Sequence, residues 1–393
     1  MKIVQINATC GSGSIGKICL DISKLLNRKG LENYILYSLG KSSYSNAIKY
    51  SNEFLRKIQS LFEKVTGLYG FGAYFTTKRM LHHLDQIKPD IVHIHNIHSH
   101  DCHLDLLFKY IRKNKIKVFW TFHDCWAFTA YCPYFDIVNC SKWKNGCNKC
   151  MLYKKYSFIL DRSSQVYKLK KNALEGLDLK IITPSKWLAN LVSQSYVKKY
   201  PVYIINNGIN LDVFKPTNSD FKVRYNCIEK FVILGVSFIW DERKGIDVFI
   251  KLAEDLDDRF QIVLVGTNNI IDKILPRNII SIHKTQNQKE LAEIYSAADL
   301  FLIPTREDNF PTVNIESIAC GTPVMTFNTG GSPEIAGTNC GYVIFDNTYE
   351  TLKEEVLNCI DRNKIDKEIC RKRALDFDCN KKYEEYLNLY LDK

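Results

Sequence analysis

The chain has 393 residues, a length that suits two domains of ordinary size. Apolar residues make up 46% and charged residues 25%, a globular mixture that excludes disordered and collagen-like chains. Lys and Arg (54) exceed Asp and Glu (43) by 11, a basic excess suited to phosphates, nucleic acid or an acidic membrane face.

The longest apolar run, Phe231 to Trp240, is about half the length a membrane-spanning helix needs. The opening MKIVQINATCGSG lacks an apolar stretch of secretory length, so a cytosolic chain with reduced thiols is expected. Along the chain, short β-branched runs alternate with helical periodicity, the pattern of doubly wound parallel sheets. Strands are expected at Lys2–Ile6, Tyr34–Tyr37, Ile91–His95, Lys117–Phe122, Lys180–Thr183 and Val202–Ile205, with a helix over Gly16–Lys29. The second half repeats the theme. Its strands are expected at Phe231–Val236, Gln261–Val265, Ile279–Ile282, Leu300–Ile303, Val324–Phe327 and Gly341–Ile344. Its helices are expected over Gly245–Asp255, Gln288–Ala297 and Pro311–Ala319, with further helices over 351–375 and 381–393. Asn207–Asn226, without clear periodicity, reads as a linker. The fold expected is α/β: two Rossmann-like domains, 1–210 and 211–380, facing each other across a cleft that takes ligands at the carboxyl ends of the strands.

The first turn reads Gly11-Ser12-Gly13-Ser14-Ile15-Gly16-Lys17. It fits the dinucleotide spacing, but Tyr37–Gly40 offers no acid for a ribose; it fits a P-loop until Ile18 replaces the hydroxyl residue. What survives is that Gly13 and Gly16 let the backbone approach an anion at a helix start; a tight turn without a ligand is the alternative. Glu53 to Leu84 sets Phe54, Leu55, Ile58, Leu61, Phe62 and Val65 at helical spacing among Arg56, Lys57, Lys64, Lys78 and Arg79. Such a segment either rests on an anionic bilayer or packs on the first sheet. Of His93, His95, His98, His100 and His103, only His95 is expected to reach the cleft, and no catalytic metal is expected. Cys132, Cys140, Cys147 and Cys150 are spaced C-x7-C-x6-C-x2-C on a short irregular excursion. That spacing suits a structural zinc knot, with two disulfides or free thiols as the alternatives.

The most informative stretch runs from Pro304 to Val324. A strand end, an acidic loop (Glu307, Asp308) and a helix starting near Pro311 put a second acid, Glu316, eight positions beyond Asp308. A second glycine turn follows at Thr329–Glu334.

This stretch resembles the E-x7-E signature of retaining glycosyltransferase family 4, whose fold is GT-B. Phe310-Pro311 and Glu316-Ser317-Ile318-Ala319-Cys320-Gly321-Thr322-Pro323-Val324 carry the match. Pro89–His95, Thr121-Phe122-His123-Asp124 and Asn206-Asn207-Gly208-Ile209-Asn210 follow the family in the same order, so the resemblance covers essentially the whole chain. It is nearest to bacterial enzymes that build capsular, exopolysaccharide or O-antigen repeats, part of which carry a cysteine-rich insertion like 132–150. The resemblance implies a glycosyltransferase of class EC 2.4. Such an enzyme moves a sugar from a UDP- or GDP-sugar to a growing or lipid-linked glycan, with no nucleic acid involved. It implies that Glu316 holds the donor ribose and that Asp308, one methylene shorter than the family acid, contacts the transferred sugar. Glu307 is the neighbour that could compensate. Arg243-Lys244-Gly245 matches the family's Lys-Gly element, so Lys244 meets the diphosphate. The family's upstream arginine is absent from Gly235–Phe238, which Arg243 could replace. Asn309, Phe310, Pro311 and Thr312 would line the donor, and His123 would position the sugar during front-face displacement, its alternative being a structural pair with Asp124. Residues 381–393 would cross back to the first domain, and a lipid-linked acceptor would bring the cytosolic protein to the inner face of the plasma membrane.

Two other functions fit parts of the chain: an NAD-dependent oxidoreductase, resting on Gly11–Gly16, and a non-enzymatic zinc-stabilised nucleic-acid binder, resting on charge and cysteines.

Overall fold

The structure, a computed structural model, describes residues 1–337, 339–361 and 365–392. Residues 362–364 of the helical stretch expected over 351–375, and residue 393, lie outside the described residues. The chain forms two compact units, Met1–Asn206 with Tyr383–Lys393, and Asn207–Lys382. The side-chain amide of Asn206 donates to Pro184 O (2.7 Å) in the first unit, and that of Asn207 to Phe310 O (3.0 Å) in the second.

The first unit contains β1 (Lys2–Asn7), β2 (Glu32–Tyr37), β3 (Ala47–Lys49), β4 (Ile91–Ile94), β5 (Lys117–Thr121), β6 (Leu179–Thr183) and β7 (Val202–Ile204). All are parallel, in the order β3-β2-β1-β4-β5-β6-β7. β3 was not legible: three half-buried residues at a sheet edge carry no period. The second unit contains β8 (Phe231–Val236), β9 (Phe260–Val265), β10 (Ile279–Ile282), β11 (Leu300–Ile303), β12 (Val324–Phe327) and β13 (Gly341–Ile344), in the parallel order β10-β9-β8-β11-β12-β13. Its strands read as unbroken apolar runs because both faces are covered. Val232, Leu234, Val263 and Phe301 pack on one side, Ile233, Ile262, Leu264 and Leu300 on the other. In both sheets the strand order reverses beside the first strand, between β1 and β4 and between β8 and β11, where doubly wound sheets open a crevice for ligands.

The linker expected over Asn207–Asn226 is instead part of the second core. Ile209, Leu211, Phe214 and Phe221 are buried, and Phe221–Arg224 forms a helical turn. Irregular backbone hid this apolar contribution, because no period marks it. Helix Cys379–Tyr390 ends against the first sheet: the Tyr390 ring meets Phe119 edge-on at 5.2 Å, and its hydroxyl lies 2.5 Å from His93 Nδ1. Tyr386 and Tyr390 are each 2% exposed. Tyr390→Ala is therefore expected to destabilise the first unit by about 3–5 kcal/mol, as for other large buried rings, read from denaturant unfolding; a loss under about 1 kcal/mol contradicts this packing.

Candidate active site

At the carboxyl end of β8 a single 3₁₀ turn, Glu242–Lys244, precedes helix Ile246–Asp255. Asp241 caps the turn, its Oδ1 accepting from the Lys244 N–H at 2.9 Å. Gly245 follows with φ +76°, and a Cβ there would fall 2.5 Å from the Pro304 carbonyl oxygen at the end of β11. The two strand ends thus meet backbone to backbone. The contact brings Lys244 Nζ to 2.5 Å from Asp308 Oδ2, with the two side chains only 19% and 14% exposed. Asp308, and not its neighbour Glu307, meets the lysine.

The Asp308 loop is held on every side. Arg243 Nη1 donates to Glu307 O (3.1 Å), while Arg243 O accepts from the Arg306 N–H (2.9 Å) and the Thr305 hydroxyl (3.1 Å). Arg243 therefore fixes the loop carrying the acid through these bonds. Gly330, in the second glycine turn, has φ +57°, and a Cβ there would lie 1.9 Å from Asp308 O. The Gly331 N–H donates to Asn309 O at 2.6 Å. The need for glycine at 330 is explained by this close approach to the acid loop.

Helix Thr312–Ala319 starts one residue later than expected, with Pro311 in the capping position. Phe310 is buried edge-on against Phe377 at 5.8 Å, so its ring belongs to the core. Thr312 is half-buried at the helix start and Asn309 is buried. Glu316 is half-buried on the same helix, and its Oε2 accepts from the Tyr295 hydroxyl at 3.2 Å. Burial and the nearby Glu316 charge push the Tyr295 phenol well up, so it is a permanent donor to that carboxylate. Tyr295 was missed in sequence; a tyrosine on the inward face of helix Gln288–Ala297 was its only sign.

In the first unit, Gly11 N–H donates to Gly16 O (2.9 Å) ahead of helix Gly13–Arg28, whose cap residue Ser12 makes no side-chain cap bond. His123, just beyond β5, is buried beside His95, their rings stacked 5.4 Å apart. Gln5 Nε2 donates to Cys19 O (2.9 Å), which leaves Gln5 Oε1 to accept from His95 Nε2–H (3.1 Å). His95 Nδ1 then accepts from His123 Nε2–H (3.1 Å), so neutral His123 keeps its lone pair on Nδ1. Asp124 pairs with His98 instead, at 2.9 Å. Burial lowers His123 to about 4 and His93 to about 3, and takes His95 well below its ordinary value.

Cys132, Cys140, Cys147 and Cys150, the residues of the expected zinc knot, lie close enough for their charges to act on one another. All four are free thiols, and among the described residues no group of three or more His, Cys, Asp or Glu side chains is placed to hold a metal ion. The expectation assumed that so short a loop buries little apolar area. Trp143 supplies apolar packing there: its ring lies 5.1 Å from Phe135 and 5.3 Å from Phe128, and its carbonyl accepts from the Tyr167 hydroxyl. Burial pushes the Cys132 thiol up to about 12 and Cys147 up to about 11.

Two family profiles match the chain: Glycosyltransferase Family 4 over residues 15–213 and Glycosyl transferases group 1 over residues 229–375. The chain belongs to glycosyltransferase family 4 and is a glycosyltransferase enzyme of class EC 2.4. It is similar to the putative colanic acid biosynthesis glycosyl transferase WcaC of Escherichia coli K12, 22% identical with 99% of each chain covered. Its fold is that of sucrose-phosphate synthase from Thermosynechococcus elongatus (TM-score 0.72, 16% identity, 100% of this chain and 98% of that one). It is also that of Anabaena Alr3699/HepE, solved with UDP-glucose (TM-score 0.71, 13% identity, all of both chains). The architecture is GT-B, and family membership displaces the oxidoreductase and nucleic-acid-binder readings as the account of its activity.

The buried imidazoles also set a pH dependence. Unfolded histidines take up protons as pH falls through about 6.5, whereas the folded trio resists until far lower, so their stability contribution is complete above that pH and lost as acid is added. Unfolding should take up as many as three extra protons, a slope of at most about 4 kcal/mol per pH unit. His95→Gln should flatten the dependence of Tm on pH by about one proton; an unchanged slope contradicts the neutral trio.

Proposed function

We propose that the enzyme transfers a sugar from a nucleotide-diphospho-sugar, UDP- or GDP-linked, to a growing or lipid-linked glycan of a bacterial surface polysaccharide, retaining the anomeric configuration. The observation that carries this reading is the Lys244–Asp308 pair at the β8/β11 switch point, with Glu316 on the helix that follows. The similarity to WcaC supports the pathway, and the fold shared with a protein solved with UDP-glucose supports the donor class.

In this reading Glu316, steered by Tyr295, accepts from the ribose hydroxyls, and Asp308 accepts from hydroxyls of the transferred sugar. Lys244 stabilises the charge that develops on the departing diphosphate, with Arg243 holding its loop. Gly13, Gly16 and the backbone of Asn309–Thr312 complete the donor contacts. Neutral His123 positions the sugar and is not the nucleophile. The bond from the anomeric carbon to the phosphate oxygen breaks as the bond to the acceptor oxygen forms on the same face, and the acceptor's proton passes to a leaving phosphate oxygen. Peripheral contact with the inner face of the plasma membrane, served by the +11 charge, belongs to the same proposal. Among the described residues no helix is long and apolar enough to cross a membrane.

Turnover of a nucleotide-sugar panel tests the assignment. Glu316→Ala and Lys244→Ala should each lower kcat/KM by about 10²–10³ with unchanged circular dichroism. A fully active Glu316→Ala contradicts the ribose contact, and binding of NAD with no nucleotide-sugar turnover contradicts the whole proposal.

A further inference from the structure

Helix Glu53–Thr66 is amphipathic but turned inside out. A surface helix ordinarily buries its apolar stripe. Here the buried residues are Gln59 and Glu63, while Phe54 (75% exposed), Ile58, Leu61, Phe62 and Val65 face outward. The inversion is held by polar contacts on the inner face. Glu63 Oε1 accepts from the Gly70 and Gly72 N–H groups, both at 3.0 Å, and its Oε2 pairs with His100. Gln59 Oε1 accepts from the Thr76 hydroxyl at 3.0 Å.

Two neighbouring segments extend the outward face. The Thr76–Gln59 bond docks the first turn of helix Tyr74–Ile87, where Tyr74 and Phe75 are exposed. On the other side the Phe158 N–H donates to Lys64 O (2.8 Å), and the Lys64 ammonium lies 5.5 Å from the Phe158 ring centroid. Phe158, Ile159 and Leu160 are three consecutive exposed apolar residues. Monomeric proteins rarely leave so much contiguous apolar surface uncovered. Its surroundings are basic: residues 53–79 and 151–162 carry eight Lys or Arg against three Asp or Glu, which is +5 of the chain's +11. Lys57, Lys78, Arg79, Lys154 and Lys155 are exposed.

We propose that this face, formed by the outer side of helix Glu53–Thr66, Tyr74–Phe75 and the loop 158–160, docks onto an anionic lipid bilayer. The inference deepens the peripheral-membrane part of the proposed function and rests on it for its use. Apolar side chains enter the headgroup boundary while the surrounding lysines and arginines meet anionic headgroups. Charge argues against a second copy as the occupant, because it would set like charge against like around the same face.

Co-sedimentation of the full chain with vesicles tests it. Phosphatidylcholine vesicles with roughly a third phosphatidylglycerol should bind the protein at least about tenfold more tightly than phosphatidylcholine alone, and high salt should weaken that binding. Phe62→Ser with Phe158→Ser should lower binding about tenfold on anionic vesicles, and Lys154→Glu with Lys155→Glu should remove the preference for anionic lipid. Both variants should keep the wild-type Tm and nucleotide-sugar turnover in solution. Equal vesicle binding by variants and wild type, no binding to either vesicle, or a wild-type dimer that the Phe→Ser pair dissolves would each overturn the docking surface. Turnover without vesicle binding sinks this inference alone; vesicle binding without turnover of any nucleotide-sugar sinks the transfer reading alone.

Discussion

Lys244 and Asp308 are 64 residues apart in sequence and come within 2.5 Å because two strand ends can touch without a side chain between them. Gly245 against Pro304 closes one side of that contact and Gly330 against Asp308 closes the other. The pair is only slightly exposed, so each charge loses much of its water and must be repaid by its partner. Arg243, Thr305 and Asp241 spend their hydrogen bonds on the backbone around the pair, which fixes it before any ligand arrives. Preorganised charge of this kind stabilises a leaving diphosphate without a reorganisation cost at the moment of reaction.

The first unit achieves rigidity by the opposite electrostatic means. Its histidines at the ends of β4 and β5 are stripped of charge by burial and linked into a chain of neutral hydrogen bonds that starts at Gln5. A neutral imidazole with a defined lone pair can orient a hydroxyl and is not poised to deliver a proton near neutral pH. The two units thus offer different chemistry, fixed charge at the β8/β11 edge in one and a fixed tautomer beyond β5 in the other.

How much of this was legible follows from where each partner lies in sequence. The strands of the second sheet were readable to within a residue because burial on both faces leaves continuous apolar runs. Lys244, Asp308 and Glu316 were singled out through a resemblance carried by short local motifs. Tyr295 and Gln5 were not, since their partners lie 21 and 90 residues away and no spacing announces them. Helix Glu53–Thr66 was readable as amphipathic, but period gives a stripe and not its direction; the Glu63 contacts to Gly70, Gly72 and His100 decide that. The packing of the cysteine excursion was hidden for a related reason. Its spacing is local and suggestive, whereas the packing of Trp143 against Phe128 and Phe135 that fills it is tertiary.

In the proposed reaction a nucleoside diphosphate is held where β8 and β11 diverge. Hydrogen exchange of the full chain with and without UDP or GDP tests it most directly. Added nucleotide is expected to slow exchange chiefly over residues 237–245 and 305–316, around Lys244, Asp308 and Glu316. Protection confined to residues 11–17, or none anywhere at saturating nucleotide, would contradict it.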